Sequence, residues 1–185
     1  MIDLLNRIKK IISNYLLSKR TKSQYRKSKI IPFSKSKKVA LLFDATSSEE
    51  ISTIKILLKF FLKKNIDVFV LGFVNKKKNS SFHLSTIHIN YYNLSEINFF
   101  GFPKSKKLND FASINYDFLI NLSMENTFSL KYLSFITKSN FKIGVYNSDD
   151  NEIYDFLLVM KIKSIEHLVE QTIFYLEQIN NNNEK

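Results

Sequence analysis

The sequence offers four residues whose type and placement suit ligand chemistry: Asp44 and Thr46 in "LLFDAT", and Asn121 and Ser123 in "YDFLINLS". Each pair follows an apolar run of strand character. In an open parallel sheet, that is the edge where ligands bind. A carboxylate in this position serves as nucleophile in some phosphoryl-transfer enzymes. That chemistry needs a second Asp two residues on as acid and base. Thr46 stands there instead, so Asp44 is read as an acceptor for its own loop or for the helix that follows. No catalytic residue is assigned, and the four residues form a candidate ligand edge only.

Other chemistries lack their residues. With three glycines in the chain, neither G-x-G-x-x-G nor G-x-x-x-x-G-K-[ST] occurs, so no glycine loop is present to cradle a phosphate. There is no Cys, which removes disulfides, thiol catalysis and thiolate zinc ligation. His83 and His88 are five apart at a strand entrance, and His167 is remote. No metal site and no cofactor are expected.

Charge is the distinctive feature. Residues 1–38 hold twelve Lys or Arg against one acid, Asp3, whereas residues 39–185 hold sixteen of each sign. The net charge of +11 therefore belongs to the leader. Such asymmetry points to a polyanionic partner, either nucleic acid or a membrane surface. The candidate phosphate contacts are Arg7, Lys10, Lys19, Arg20, Lys22, Arg26, Lys27, Lys29, Lys35 and Lys37, with Tyr25 placed to stack on a base. All three arginines, the better residues for forked phosphate contacts, lie in this leader.

The elements that must position these residues are legible from periodicity. Over residues 2–18, Leu4, Leu5, Ile8, Ile11, Ile12, Tyr15 and Leu16 follow helical spacing and predict an amphipathic helix that runs on towards Arg26. Its stripe needs a partner: the body, another molecule or lipid. Pro32 marks a linker. "KVALLF" (38–43) reads as a strand covered on both faces. Ser47 and Glu50 have capping-box spacing for a helix over Ser48 to Lys64. Strands are predicted at 66–73, 86–92, 116–123, 141–147 and 153–162. Further helices are predicted at 127–139 and, capped by Ser164, at 165–179. Residues 93–110 read as a short helix and then a loop. The last strand follows the acidic turn "SDDNE" closely enough to be antiparallel.

Alternating strands and helices predict an α/β fold: a three-layer Rossmann-like or flavodoxin-like sandwich with a mainly parallel sheet of five or six strands. The expected organisation is a basic helix and linker at 1–37, an α/β domain at 38–180 and a disordered tail at 181–185. No apolar run reaches the roughly 18–20 residues that span a bilayer. Residues 1–17 carry Asp3, Arg7, Lys9 and Lys10 and lack a small-residue cleavage site, so no secretory signal is expected and the chain is placed in the cytoplasm.

The order "LLFDAT", "VLGFVNKK", "FFGFPK", "YDFLINLS", "LKYLSFITKSNFKIGVYN" and "DFLLVM", behind a basic amphipathic leader, resembles a family of small uncharacterised proteins of Bacteroidota. That resemblance carries no active site. "YDFLINLS" through "FKIGVYN" is also similar to the first domain of heptosyltransferase-like glycosyltransferases, which implies a fold and not an activity. The expected function is a non-catalytic RNA-binding protein associated with the ribosome or its assembly. The alternatives are a peripheral membrane-surface protein held by the N-terminal helix, or a small-molecule-binding, degenerate transferase-like domain.

Overall fold

A computed structural model describes residues 2–23, 26–125, 127–146 and 152–181. The strands are β1 (Lys38–Asp44), β2 (Asp67–Val74), β3 (Ile89–Asn93), β4 (Tyr116–Asn121), β5 (Ser139–Val145) and β6 (Phe156–Leu158). The helices are α1 (Ile2–Ser23), α2 (Ser48–Lys63), α3 (Lys106–Ser113), α4 (Phe128–Ile136) and α5 (Ile165–Asn181). The strands form one sheet in the order β3-β2-β1-β4-β5-β6, and every pairing is parallel. This is the Rossmann order rather than the flavodoxin one, with its topological switch between β1 and β4.

Strand alternation divides the core into two sides. Val39, Leu41 and Phe43 of β1 pack in the cluster that holds Ile54, Leu57 and Phe61 of α2 and Leu168 and Leu176 of α5. Ala40 and Leu42 face the opposite cluster, with Leu108 of α3 and Leu130 and Leu133 of α4. Burial of β1 on both faces accounts for its unbroken apolar run. The capping box of α2 forms as its spacing predicts: Ser47 Oγ accepts from Glu50 N–H, and Glu50 accepts from Ser47 N–H, each at 3.3 Å.

Three local expectations are corrected. The region expected as a loop after residue 100 contains α3, which buries only Leu108 and Ala112 and is too short to display a period. The short helix expected near 93 is a single 3-10 turn, Leu94–Glu96. The strand expected over 153–162 shrinks to Phe156–Leu158 and runs parallel to β5, not antiparallel. Ile153 and Tyr154 leave the sheet plane to pack with Leu17 of α1 and Tyr132 of α4. Asp155 N–H then donates to Lys142 O, halfway along β5, and β6 pairs with β5 from Ile143 onward. The "SDDNE" turn falls largely outside the described residues.

Gly72 in the middle of β2 is required by close approach. A Cβ there would lie 2.7 Å from Ala45 Cβ and 2.9 Å from the Phe43 ring. Gly72→Ala is expected to cost about 1–3 kcal/mol through overpacking, read as a lower urea midpoint at unchanged slope.

Candidate functional site

The basic leader is laid against the body in two stages. α1 docks beside α4 through an unexpected face. Ser13 and Leu17 are buried, Ser13 Oγ donates to Phe100 O at 2.9 Å, and Leu17 packs with Tyr132, Ile153 and Tyr154. Polar and aromatic contacts hold the rest: Lys9 lies over the Phe99 ring, Arg20 lies over Phe102 and Tyr132 and donates to the Tyr132 hydroxyl, and Thr21 Oγ1 donates to Glu152 at 2.7 Å. At about 100° per residue, Ile8, Ile11, Ile12 and Tyr15 fall on the opposite side. They are exposed, Ile11 by 68% and Tyr15 by 67%. The stripe expected to seek a partner therefore does not find one in the body at these four residues.

Residues 26–38 then follow the amino-terminal edge of the sheet. Arg26 donates to Ser139 O at 3.2 Å and Asn140 O at 3.1 Å, and pairs with Asp155. Lys29 N–H donates to Asn140 O at 3.0 Å. Phe33 is buried among Phe60, Phe61 and Phe118. The N–H groups of Lys37 and Lys38 donate to Asp117 Oδ2 at 2.7 and 3.1 Å. These anchors cross the starts of β5, β4 and β1 in turn.

The predicted phosphate contacts thus separate. The guanidiniums of Arg20 and Arg26 are engaged with the body. Lys27, Lys29, Lys35 and Lys37 are exposed along the amino edge, where exposed Lys38, Lys64 and Lys138 join them. Lys64 also meets Glu177 at 3.4 Å, and Asp67 is an exposed acid on the same edge. Arg7 and Lys19 are exposed on α1. Tyr25 and the side chains of Lys10 and Lys22 lie outside the described residues.

The candidate ligand edge is at the opposite, carboxyl ends of the strands. Asp44 Oδ1 accepts from Thr46 N–H at 2.9 Å, and Asn75 N–H approaches Thr46 Oγ1 at 3.4 Å. Asn121 Nδ2 donates to the Tyr154 hydroxyl at 2.7 Å, and its Oδ1 accepts from Ser123 N–H at 3.1 Å. Ser123 Oγ donates to Glu125 O at 2.8 Å. The four residues close the ends of β1 and β4 on themselves. Glu50 sits near Asp44, and burial, then the Asp44 charge, push its carboxyl above the usual range. His83 is a core residue: Ser80 N–H donates to its Nδ1 at 2.8 Å, which leaves Nε2–H to donate to Ala45 O at 2.7 Å. Among the described residues no group of three His, Asp or Glu side chains is arranged to hold a metal. No helix among them is long and apolar enough to cross a membrane.

Sequence reasoning missed Lys142, hidden in "FKIGVYN" as an ordinary strand position. It is 2% exposed, and its Nζ donates to Ser134 O and Phe135 O at 2.5 and 2.9 Å, closing the end of α4. The signal was a charged residue inside a strand buried on both faces. Burial, and secondarily the Arg26 charge, lower its pKa to about 7 against an opposing effect of Asp155. Between that value and the ordinary 10.5, the unfolded chain holds a proton that the folded chain has released. Stability is therefore expected to rise with pH by on the order of 2–3 kcal/mol from about pH 7 to about pH 9. Urea unfolding at both values should show that rise in the native chain and lose it in Lys142→Met.

No curated protein and no solved structure matches the chain. A family model does match, across residues 8–179, a span that takes in most of α1, the basic edge and the whole sheet. The chain belongs to that family, a family of unknown function designated DUF6913.

Proposed function

We propose that this is a non-catalytic, cytoplasmic RNA-binding protein associated with ribosomal particles, with the amino edge of the sheet as its phosphate-contacting surface. The observation that carries the proposal is the course of residues 26–38. Arg26, Phe33 and the Asp117 contacts fix the backbone, while Lys27, Lys29, Lys35 and Lys37 stay exposed. Lysines carried on a fixed backbone lose less chain entropy on binding than those of a free tail, and their phosphate contacts gain from counterion release. We also place the chain among Bacteroidota proteins, on the order of its sequence landmarks. The likeness to heptosyltransferase-like domains enters as a fold analogy alone.

A second reading has its own support. Ile8, Ile11, Ile12 and Tyr15 face outward on a helix that also exposes Arg7 and Lys19. A helix of this kind lies in an anionic membrane interface. Fluorescence anisotropy with labelled rRNA fragments, beside flotation on phosphatidylserine-containing vesicles, separates the two. The first reading predicts RNA binding that weakens steeply with salt. Vesicle binding without RNA binding would replace it with the second.

A further inference from the structure

A cleft of about 300 Å³ opens between α1, the carboxyl end of β2 and the first turn of α4. It lies on the carboxyl side of the sheet, away from the basic amino edge, and none of its lining residues belongs to β1 or β4. Its apolar walls come from Phe73, Ile97, Phe100 and Phe128. Asn75, Thr127 and Ser129 supply polar groups, and among the described residues Lys9 is its one charged side chain.

The walls are fixed before any ligand arrives. Asn98 Oδ1 accepts from Phe100 N–H and Phe102 N–H, both at 3.0 Å. Gly101 takes φ +88, and a Cβ there would lie 2.7 Å from the Phe128 ring, so the loop and α4 meet at a position that only glycine fits. Ser13 ties that loop to α1, and the Tyr92 hydroxyl donates to Ser129 Oγ at 3.2 Å beneath the polar side. The volume is at the lower end of small-molecule sites, and mostly apolar walls with a few convergent polar groups are their usual chemistry. One cation, with no carboxylate among the described lining residues, selects a monoanion.

We propose that this cleft binds a small amphipathic carboxylate. Its aromatic or branched body sits on Phe73, Ile97, Phe100 and Phe128, and its carboxylate sits on Lys9 Nζ. The proposal goes beyond the RNA-binding reading and does not depend on it. Because Lys9 and Ser13 belong to α1, the ligand also holds that helix in place.

The test titrates 2-naphthoate into the full chain, followed by NMR shifts and by intermolecular contacts to the Phe73 and Phe128 rings. Saturable one-to-one binding is expected. Affinity should fall about tenfold in Lys9→Gln, or when the uncharged 2-naphthylmethanol replaces the acid. Lys9→Arg should retain it. Lys27→Gln with Lys29→Gln should leave it unchanged, which excludes general attraction to a basic protein. Equal affinity in Lys9→Gln, ring contacts outside the cleft, or no saturable binding at millimolar naphthoate overturns the proposal.

Discussion

Replacing Lys27, Lys29, Lys35 and Lys37 together by Gln is expected to lower RNA affinity by on the order of 10²–10³-fold at about 0.1 M salt. Each phosphate contact contributes about 0.7–0.9 to the slope of log affinity against log salt, so four lost contacts remove about 3 from it. All four side chains are exposed, whereas the anchors of the segment are Arg26, Phe33 and the Lys37 and Lys38 backbone N–H groups. The variant should therefore fold with its unfolding midpoint little changed, which separates lost phosphate contacts from lost structure. Anisotropy titrations across a salt series measure the slope directly. A variant that binds as tightly as the native chain, with the same slope, would place the contact surface elsewhere.

Phe33→Ala is expected to destabilise the chain by about 3–5 kcal/mol. Its ring is 1% exposed, stacked on Phe60 at 5.8 Å and edge-on to Phe61 and Phe118 at 5.7 and 6.2 Å. Lys64 Nζ lies over it at 5.9 Å. Truncation leaves a cavity bounded by three aromatic rings that cannot collapse readily. Against a total stability of about 5–15 kcal/mol, that is a large share. Phe33 is also the apolar fastener of the basic segment, so RNA affinity should fall even under conditions where the sheet stays folded. Ile11→Ala supplies the contrast. At 68% exposure it should stay within about 0.5 kcal/mol. Urea unfolding of the two variants checks both numbers, and a Phe33→Ala cost below about 1 kcal/mol would mean that the segment is not seated in the core.

What the sequence revealed depends on how local the physics is. β1 and α2 were legible because an apolar run and a capping box are decided within a few residues, and both form as spacing predicts. α5 was legible for the same reason, from Ser164 and a regular stripe. α1 was legible as a helix but not in its docking. Periodicity identifies Ile8, Ile11, Ile12 and Tyr15 as the apolar face, whereas the face that docks is chosen by Phe100 and Tyr132, far along the chain. The basic leader was visible in composition, but its path was not. Arg26 reaches carbonyls 113 and 114 residues away, and no local rule announces such a contact. β6 was overextended because Ile153 and Tyr154 look like strand residues yet are drawn onto α1 and α4. The cleft at Lys9 was invisible for a related reason, since its walls come from four separate stretches of chain.

The most direct measurement is sedimentation of the full-length protein with ribosomal particles on sucrose gradients at low and high salt, beside the four-lysine variant. The native chain should travel with the particles at low salt and return to the top at high salt, and the variant should stay at the top in both. A native chain that remains at the top at low salt, or a variant that sediments with the particles as the native chain does, would contradict the amino edge as a phosphate-contacting surface for RNA.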